Sequence, residues 1–463
     1  MSDLGRREFI LRAGITGTGL LAFHGLGQRY GLFPAPASVS LRSNSAGYGP
    51  LVAAKTNNTG ETLLALPKDF QYTVFGKAGT RMSDGQLTPP AHDGMAAFQV
   101  KDELRLVRNH EVNNHIGTPG AAIGPNVYDP LAAGGTTTLV IDPNTRELVK
   151  DFISLSGTLV NCAGGRTPWN SWVSCEETVL GPAKFKNSEG ENRGGFQKGH
   201  GYCFEVSAAA NKAVTPIPLK QMGRFVHEAV AIDSRTGIVY LTEDLPTAGF
   251  YRFIPHKRGQ LAAGGRLQML TVKDRPNLDT RTRQKSGTAL LATWVDIPNP
   301  DPPEAELDKL AVYKQGIAAG AATFARLEGC FYGNGRVYFT STTGGDKELG
   351  QVWQYVPSGK DQGHLTLLLE PTDSSLLFMP DNICLAGRNL VICEDNDLRA
   401  YLRVLTPQGQ VFDLAKNIAQ GFEIKELAGV TFSPDGQTLF VNLQVPGLTF
   451  AIWGPWERIK GAR

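Results

Sequence analysis

A cysteine and a pair of glutamates stand at the two ends of one short segment of the chain. The segment NCAGGRTPWNSWVSCEE runs from Asn161 to Glu177, with Cys162 near its start and Glu176 before Glu177 at its end. Its glycines and proline predict a turn between two strands. The two ends of a hairpin lie at the same edge, so the thiol and the carboxylates are expected to converge, as metal ligands do. For Cys162, packing in the core or a disulfide is the alternative.

Five further segments repeat this pattern of a polar residue, an apolar strand, a turn and a polar return. They start at Asp93, Glu228, Glu328, Asp381 and Glu426, and they return to Glu111, Asp244, a Ser/Thr cluster before Asp346, Asp395 and Asn442. Successive starts lie 45 to 100 residues apart, a loose period of the size of a propeller blade. A β-propeller sets the first strands of its blades around one channel. The sequence therefore predicts an all-β fold, a six-bladed β-propeller with helical and loop insertions.

Such a fold brings the polar starts and returns to one mouth of the channel. Carboxylates held a few ångströms apart repel one another, so each is driven to take up a proton or to bind a cation. Numerous oxygen donors suit Ca²⁺, whereas a thiolate among them favours a transition metal. We expect a mixed metal cluster at this mouth.

The N-terminus carries an export pattern. Arg6 and Arg7 precede a weakly apolar, glycine-rich stretch, and Ala35-Pro36-Ala37 offers a small-residue cleavage site. The stretch from Ile15 to Leu26 is too short to span a bilayer. This predicts a twin-arginine signal peptide over residues 1–37, recognition by the twin-arginine translocation machinery, and a periplasmic or extracellular location. A disordered basic tail is the alternative.

The rest of the chain is predicted to form a spacer followed by one folded domain. Residues 38–60 predict a flexible spacer, and residues 61–463 a single propeller domain with insertions near 178–200 and 256–326. The 53 glycines and 28 prolines among 463 residues suit many short strands joined by turns. A net charge of +2 without a Lys/Arg run gives no sign of a nucleic-acid partner, and no segment predicts a membrane span. We expect a monomer.

Five of the six cysteines lie within apolar strand patterns, where a buried free thiol is expected. They are Cys175, Cys203, Cys330, Cys384 and Cys393. Cys162 differs because it stands at the predicted mouth.

The second insertion ends in a stretch of helical composition, AELDKLAVYKQGIAAGAATFARL. We expect this helix to deliver Arg326 and Glu328 to the mouth. A guanidinium suits the bidentate binding of a phosphate or carboxylate. A structural ion pair between the two residues is the alternative.

The most distinctive segments are GRREFI, NCAGGRTPWNSWVSCEE, GRFVHEAVAIDSRTGIVYLTED, FYRFIP, ARLEG, DNICLAGRNLVICED and ELAGVTFSPDGQTLFVNLQVPG. Together they resemble the PhoX family of secreted alkaline phosphatases, from roughly residue 60 to the C-terminus. The resemblance implies a twin-arginine-exported propeller that hydrolyses small phosphate monoesters at a cluster of iron and calcium ions, with two Fe³⁺ and several Ca²⁺.

The resemblance also implies roles for individual residues. Cys162 corresponds to an iron-bound cysteine, Arg326 to an arginine that meets phosphate, and Glu328 and Glu228 to metal-binding glutamates. The other predicted metal ligands, without assignment to a particular ion, are Glu111, Glu176, Glu177, Glu243, Asp244, Asp381, Asn382, Glu394 and Asp395. His227 is a candidate to orient a ligand or to donate a proton to the leaving alcohol, or else it is a structural histidine.

Two other functions remain open at this stage. One is a calcium-dependent propeller hydrolase of another class, a lactonase or phosphotriesterase, which would leave Cys162 and Arg326 unexplained. The other is a non-catalytic propeller whose blades are held together by calcium. The sequence contains no G-x-S-x-G turn and no GxxxxGK[ST] loop, so neither a serine hydrolase nor a P-loop enzyme is indicated.

Overall fold

The computed structural model of the protein describes residues 47–112, 115–118, 120 and 122–458, and the predicted signal peptide lies outside them. Strand is the main regular secondary structure of the described residues, which contain one α-helix, α1 (Ala311–Ala318). None of the described helices has the length and apolar character needed to cross a membrane.

The strands fall into six blades in chain order. Three strands precede them, β1 (Leu51–Ala54), β2 (Leu64–Pro67) and β3 (Gln71–Phe75). Blade one contains β4 (His92–Val100), β5 (Glu103–His110), β6 (Gly134–Ile141) and β7 (Leu148–Thr158). Blade two contains β8 (Asn161–Arg166), β9 (Ser171–Glu176) and β12 (Cys203–Ser207), with the hairpin β10 (Lys184–Lys186) and β11 (Asn192–Gly194) inserted. Blade three contains β13 (His227–Ile232), β14 (Val239–Glu243), β15 (Phe250–Pro255) and β16 (Gly265–Val272), followed by β17 (Ala289–Asp296).

Blades four to six complete the order. Blade four contains β18 (Leu327–Gly333), β19 (Arg336–Ser341), β20 (Gln351–Ser358) and β21 (Gln362–Leu369). Blade five contains β22 (Pro380–Ala386), β23 (Asn389–Glu394), β24 (Tyr401–Leu405) and β25 (Val411–Asn417). Blade six contains β26 (Leu427–Phe432), β27 (Leu439–Leu443) and β28 (Leu448–Trp453). Short 3₁₀ helices span Lys220–Met222, Leu261–Ala263, Pro303–Glu306 and Trp456–Arg458.

The first strands of the blades form a closed ring around the hub. In order, β4, β8, β13, β18, β22 and β26 each contact the next, and β26 contacts β4. The ring is locked by β3, which pairs with β28 as the fourth strand of blade six, with Phe75 opposite Thr449. The predicted six-bladed propeller is confirmed.

Two additions lie on the outer edges of the blades. Strand β17 pairs with β16 and with β21, so blades three and four share one sheet. Strand β1 pairs with β2, which pairs with β25 of blade five. The segment predicted as a flexible spacer, residues 38–60, therefore contains a strand, because β2, which extends the edge of blade five, offers it hydrogen-bond partners.

The predicted long helix of the second insertion is wrong in extent. Helix α1 ends at Ala318, and Gly320 beyond it has a φ of +90°, a conformation that ends a helix. Arg326 consequently follows an irregular segment and immediately precedes β18, and it does not stand at a helix end. Composition favoured a helix here, but the glycines interrupt it.

Apolar side chains fill the spaces between neighbouring blades. The rings of Phe250 in blade three and Phe339 in blade four stack with centroids 4.2 Å apart. All six cysteines are buried and free, as expected for five of them.

At the hub the inner strands meet at backbone contact distance. A Cβ on Gly94 would lie 2.5 Å from the Cα of Ala163, and a Cβ on Gly329 would lie 2.5 Å from the carbonyl oxygen of Asp381. A Cβ on Gly429 would overlap the carbonyl oxygen of Asp93, and the φ of Gly429 is +65°. Glycine at these positions is what lets the ring close.

We expect Gly429→Ala to destabilise the propeller more than Gly436→Ala. Both glycines have positive φ, +65° and +71°, which costs about 1–3 kcal/mol for a residue with a side chain, but nothing lies within 4 Å of a Cβ on Gly436. The difference between the two variants in free energy of unfolding, measured by urea denaturation, isolates the clash with blade one. Equal costs for the two would show that the ring is looser than described.

Candidate metal centre at the hub

A β-bulge interrupts the pairing of every inner strand at the same place. In each bulge two residues of the inner strand oppose one residue of the second strand. The first residues of the bulges, in blade order, are Asp93, Cys162, Glu228, Glu328, Asp381 and Gly429. Since bulges re-aim side chains and the inner strands form one ring, five blades present a carboxylate or thiol at one level of the hub.

The ligand atoms of these residues converge on Glu228. The Sγ of Cys162 and one carboxylate oxygen each of Glu177 and Glu228 lie within 4.8 Å of one another. One oxygen each of Glu228, Asp244 and Glu328 also lie within 4.8 Å of one another. We call these five residues the hub cluster. It is a compact thiol and carboxylate group contributed by blades two, three and four.

The charges of further acids reach this cluster. Burial and the neighbouring carboxylates of Glu328, Glu426 and Glu228 hold the pKa of Asp381 well above its usual range. Burial and the carboxylates of Glu228, Glu177, Asp93 and Glu111 likewise raise the pKa of the Cys162 thiol. Both shifts have the sign that crowded negative charge produces, and a bound cation reverses it.

Arg326 lies among three of these carboxylates. Its Nε and Nη2 donate to the two oxygens of Asp244, each at 3.0 Å, and Nη2 also donates to Glu328. The nearest oxygen of Asp395 is 3.8 Å from Nη2. The structure therefore pairs Arg326 with Glu328, which is the ion pair given above as the alternative, and it adds a bidentate partner, Asp244, from blade three.

Two consecutive acids stand at the end of three of the second strands, and the two side chains of each such pair point to opposite faces of the sheet. Successive residues of a strand point to opposite sides, so the second acid of each pair faces the hub and the first faces the blade interior. Glu177 and Asp244 thus belong to the hub cluster, and Asp395 lies near Arg326. The pairs are Glu176 with Glu177, Glu243 with Asp244, and Glu394 with Asp395.

The first acids of the pairs have protein partners inside the blades. Glu176 accepts hydrogen bonds from His200 Nδ1 at 2.6 Å and from the amides of Leu159, Gly201 and Tyr202. Glu394 accepts from Arg403 Nε at 3.0 Å and lies 3.3 Å from Arg399 Nε.

Glu243 is also buried inside its blade. It accepts from the amide of Gly249 at 2.8 Å and from the Tyr251 hydroxyl at 2.9 Å, and burial raises its pKa to about 7. The structure does not bring Glu176, Glu243 or Glu394 into the hub cluster.

Two more predicted residues have clear partners. Asn382 donates to Asp381 Oδ1 at 2.9 Å and accepts from the amide of Gly429 at 2.6 Å, so it links blades five and six. The His227 ring is fully buried, with Nε2 3.0 Å from the carbonyl oxygen of Gly223 and Nδ1 3.5 Å from Cys203 Sγ. This placement favours the structural alternative for His227 over proton donation.

Two acids that face the hub were not among the predicted ligands. Asp93 occupies the bulge position of blade one, and Glu426 stands directly before β26. Each begins one of the repeated segments, and this repeat is the signal in the sequence that identifies both.

A cavity of about 670 Å³ continues along the axis beyond the cluster. Small residues that directly follow the bulge acids line its inner end, among them Gly94, Ala229 and Gly329. The hub is therefore open space on one side of the carboxylates.

The comparisons with known proteins agree with this architecture. The sequence model of the family described as alkaline phosphatase PhoX matches residues 46–447. The solved structure of Pseudomonas fluorescens PhoX in complex with vanadate, a transition state analogue, is 17% identical, with a TM-score of 0.67 over 89% of this chain and 99% of that chain. A gluconolactonase from Xanthomonas campestris is 12% identical over 88% of this chain and 98% of that chain, but its TM-score of 0.38 is too low to establish a common fold. Comparison with curated protein sequences found no match.

We expect His200 to stabilise the fold in neutral solution and to lose that effect in alkaline solution. Although burial opposes the charge, Glu176 and Asp129 raise the pKa of His200 to about 9. Its contribution to the free energy of unfolding is on the order of 3 kcal/mol. That contribution is fully present below the unfolded-state pKa of about 6.5, and it is lost as the pH rises through about 9. The gap in unfolding free energy between wild type and His200→Gln should narrow across this window. The exposed His256 supplies the control variant, His256→Gln, which removes a histidine that contacts no buried carboxylate of the described residues.

Proposed function

The chain belongs to the alkaline phosphatase PhoX family and is a phosphatase of phosphate monoesters, and we propose that it acts outside the cytoplasm through iron and calcium ions held at the hub cluster. The observation that carries the proposal is the convergence of Cys162, Glu177, Glu228, Asp244 and Glu328 beside Arg326. Export by the twin-arginine route and a monomeric state are parts of the same proposal.

The donor set fits both kinds of ion. Oxygen donors surround Glu228, and Ca²⁺ takes six to eight such ligands. Cys162 adds a sulfur donor that favours a transition metal such as iron. The neighbouring acids that we propose as further ligands are Asp381, Asp93, Glu111, Asp395 and Glu426. When bound, the ions supply Lewis-acid charge that stabilises the anionic phosphoryl group in the transition state.

The chain's own residues position the substrate. We assign Arg326 to the phosphoryl oxygens, because a planar guanidinium binds them with defined orientation. The bidentate contact with Asp244 fixes the plane of that guanidinium, and Glu328 limits its rotation. Asp244 and Glu328 thereby join the metal ligands and the phosphate-binding group in one unit.

The accessible acids lie at the rim. Glu111, Glu177 and Glu426 are half-buried, whereas Glu228 and Glu328 are at most 3% exposed. A small phosphate monoester can thus reach the cluster from the mouth. The low solvent exposure of Glu228 and Glu328 strengthens the electrostatic stabilisation of the phosphoryl charge.

We expect Cys162→Ala to lose the transition metal and phosphatase activity while it retains calcium. Elemental analysis of the purified protein and hydrolysis of p-nitrophenyl phosphate, each with and without a chelator, measure the two effects. Cys384→Ala is the matched control, since it removes a buried cysteine of another inner strand, β22, that is not in the hub cluster. Full activity and unchanged metal content in Cys162→Ala would contradict the proposal.

We expect Arg326→Ala to lower kcat/KM roughly 10²-fold and to weaken inhibition by vanadate, with the metal content unchanged. Arg326→Lys should recover only part of the loss, because an ammonium group cannot bind two oxygens in one plane. Arg252→Ala is the control variant. Arg252 is also buried and forms an ion pair with Asp361, but it lies on the third strand of its blade. If Arg252→Ala and Arg326→Ala lost activity equally, a purely structural role for Arg326 would be indicated.

A further inference from the structure

A second group of metal-ligating side chains lies between blades two and three. Cys175 of β9, Cys203 of β12 and His227 of β13 are all completely buried. Their Sγ, Sγ and Nδ1 atoms lie within 4.8 Å of one another. None of the three atoms belongs to the hub cluster, and the phosphatase function proposed above uses none of them.

The distances match the edges of a tetrahedral metal site. Cys175 Sγ lies 3.6 Å from Cys203 Sγ, and Cys203 Sγ lies 3.5 Å from His227 Nδ1. With Zn–S bonds of about 2.3 Å and Zn–N bonds of about 2.0–2.1 Å, tetrahedral angles separate two sulfurs by about 3.8 Å and a sulfur from a nitrogen by about 3.6 Å. We propose that Cys175, Cys203 and His227 bind a thiophilic divalent ion, Zn²⁺, as a structural site.

The imidazole is set in the tautomer that such a site needs. A carbonyl oxygen only accepts hydrogen bonds, so the 3.0 Å contact of Nε2 with the Gly223 carbonyl places the ring proton on Nε2. Nδ1 then carries a lone pair directed toward the sulfur of Cys203. Metal-binding histidines are held in this way, with the other ring nitrogen donating to a carbonyl or carboxylate. The ring of Phe225, 3.7 Å from the imidazole between centroids, fixes its plane.

Strand register supplies the two sulfurs. Cys175 and Cys203 are direct partners in the β9–β12 pair. The adjacent pair, Glu176 and Tyr202, is joined by the hydrogen bond from the Glu176 amide to the Tyr202 carbonyl. Pairs alternate along antiparallel strands, so Cys175 and Cys203 form a non-hydrogen-bonded pair, whose side chains stand closest together.

Glu243 stands beside this group. It lies directly opposite His227 in the β13–β14 pair. Its Oε2 accepts from Gly249 and Tyr251, but its buried Oε1 has no hydrogen-bond partner. An unsatisfied buried carboxylate oxygen is costly unless a cation or a proton meets it. The ligand atoms within 4.8 Å of one another are those of Cys175, Cys203 and His227, so these three residues define the second site and Glu243 is its neighbour.

The second site lies directly behind Cys162. The Cys162 thiol lies 3.2 Å from the carbonyl oxygen of His227 and 3.8 Å from that of Cys175. An ion that fixes Cys175 and His227 therefore also fixes the backbone against which the hub thiol rests. The consequence is a structural ion that positions a ligand of the catalytic cluster.

Metal analysis of the full-length protein tests this inference. We expect one zinc per chain that survives dialysis against EDTA in the folded state, because its ligands are fully buried. X-ray absorption at the zinc edge should show two sulfur neighbours, whereas zinc bound at the hub would have one. In Cys203→Ala the zinc should be lost and the calcium retained, whereas Cys330→Ala, a matched buried cysteine, should keep the zinc.

Three results would overturn the inference. In the first result, the wild-type protein contains no tightly held zinc, and all six cysteines react as free thiols after unfolding. Its mass could be lower by two hydrogens, which would identify a Cys175–Cys203 disulfide. Zinc with fewer than two sulfur neighbours would place the ion elsewhere. All three measurements use the wild-type chain, so they decide the question even if Cys203→Ala does not fold.

Discussion

The hub depends on how the bulges of the inner strands are tied to the neighbouring blades. A bulge leaves backbone groups without a ladder partner, and buried backbone groups need one. Side chains of the preceding blade supply it at four bulges. The bonds run from Asn442 to the carbonyl of Asp93 at 2.6 Å, from Asn109 to that of Cys162 at 3.0 Å, from Thr242 to that of Glu328 at 2.6 Å, and from Thr340 to that of Asp381 at 2.9 Å. The same residues that aim ligands at the hub are thus fixed by the blade before them.

This arrangement explains how the protein holds so much negative charge in one place. Packing of whole blades positions the acids, and interblade hydrogen bonds oppose the rearrangement that repulsion would otherwise cause. The raised pKa values of Asp381 and Cys162 reflect burial and the electrostatic repulsion that remains in the absence of cations. Binding of cations removes that repulsion, so metal binding and stability of the closed ring are linked.

Acids in the blade interior support the hub from behind. Glu176 is held by His200, and Glu394 is held by Arg403 and Arg399. Each lies one residue before an acid that faces the hub, so the orientation of the hub-facing acid follows from the anchoring of the acid before it. A strand end can therefore carry two neighbouring carboxylates with different tasks.

The amino-acid sequence by itself determined the number of blades and the level at which their polar ends meet. The repeated order of polar start, apolar strand, turn and polar return is a local property, and it appears in the chain whatever the packing. It also identified Cys162, Glu228 and Glu328, because each begins a repeat.

Only the tertiary structure decided which member of each acidic pair faces the hub. Side-chain direction alternates along a strand, so a shift of one residue in register exchanges Glu176 with Glu177 or Glu243 with Asp244, and composition cannot resolve such a shift. The bidentate contact between Arg326 and Asp244 joins blades three and four, and the two residues are 82 positions apart in the sequence. No local sequence pattern predicts this contact. The second site between blades two and three is likewise a product of packing, since Cys175, Cys203 and His227 carry no common spacing motif.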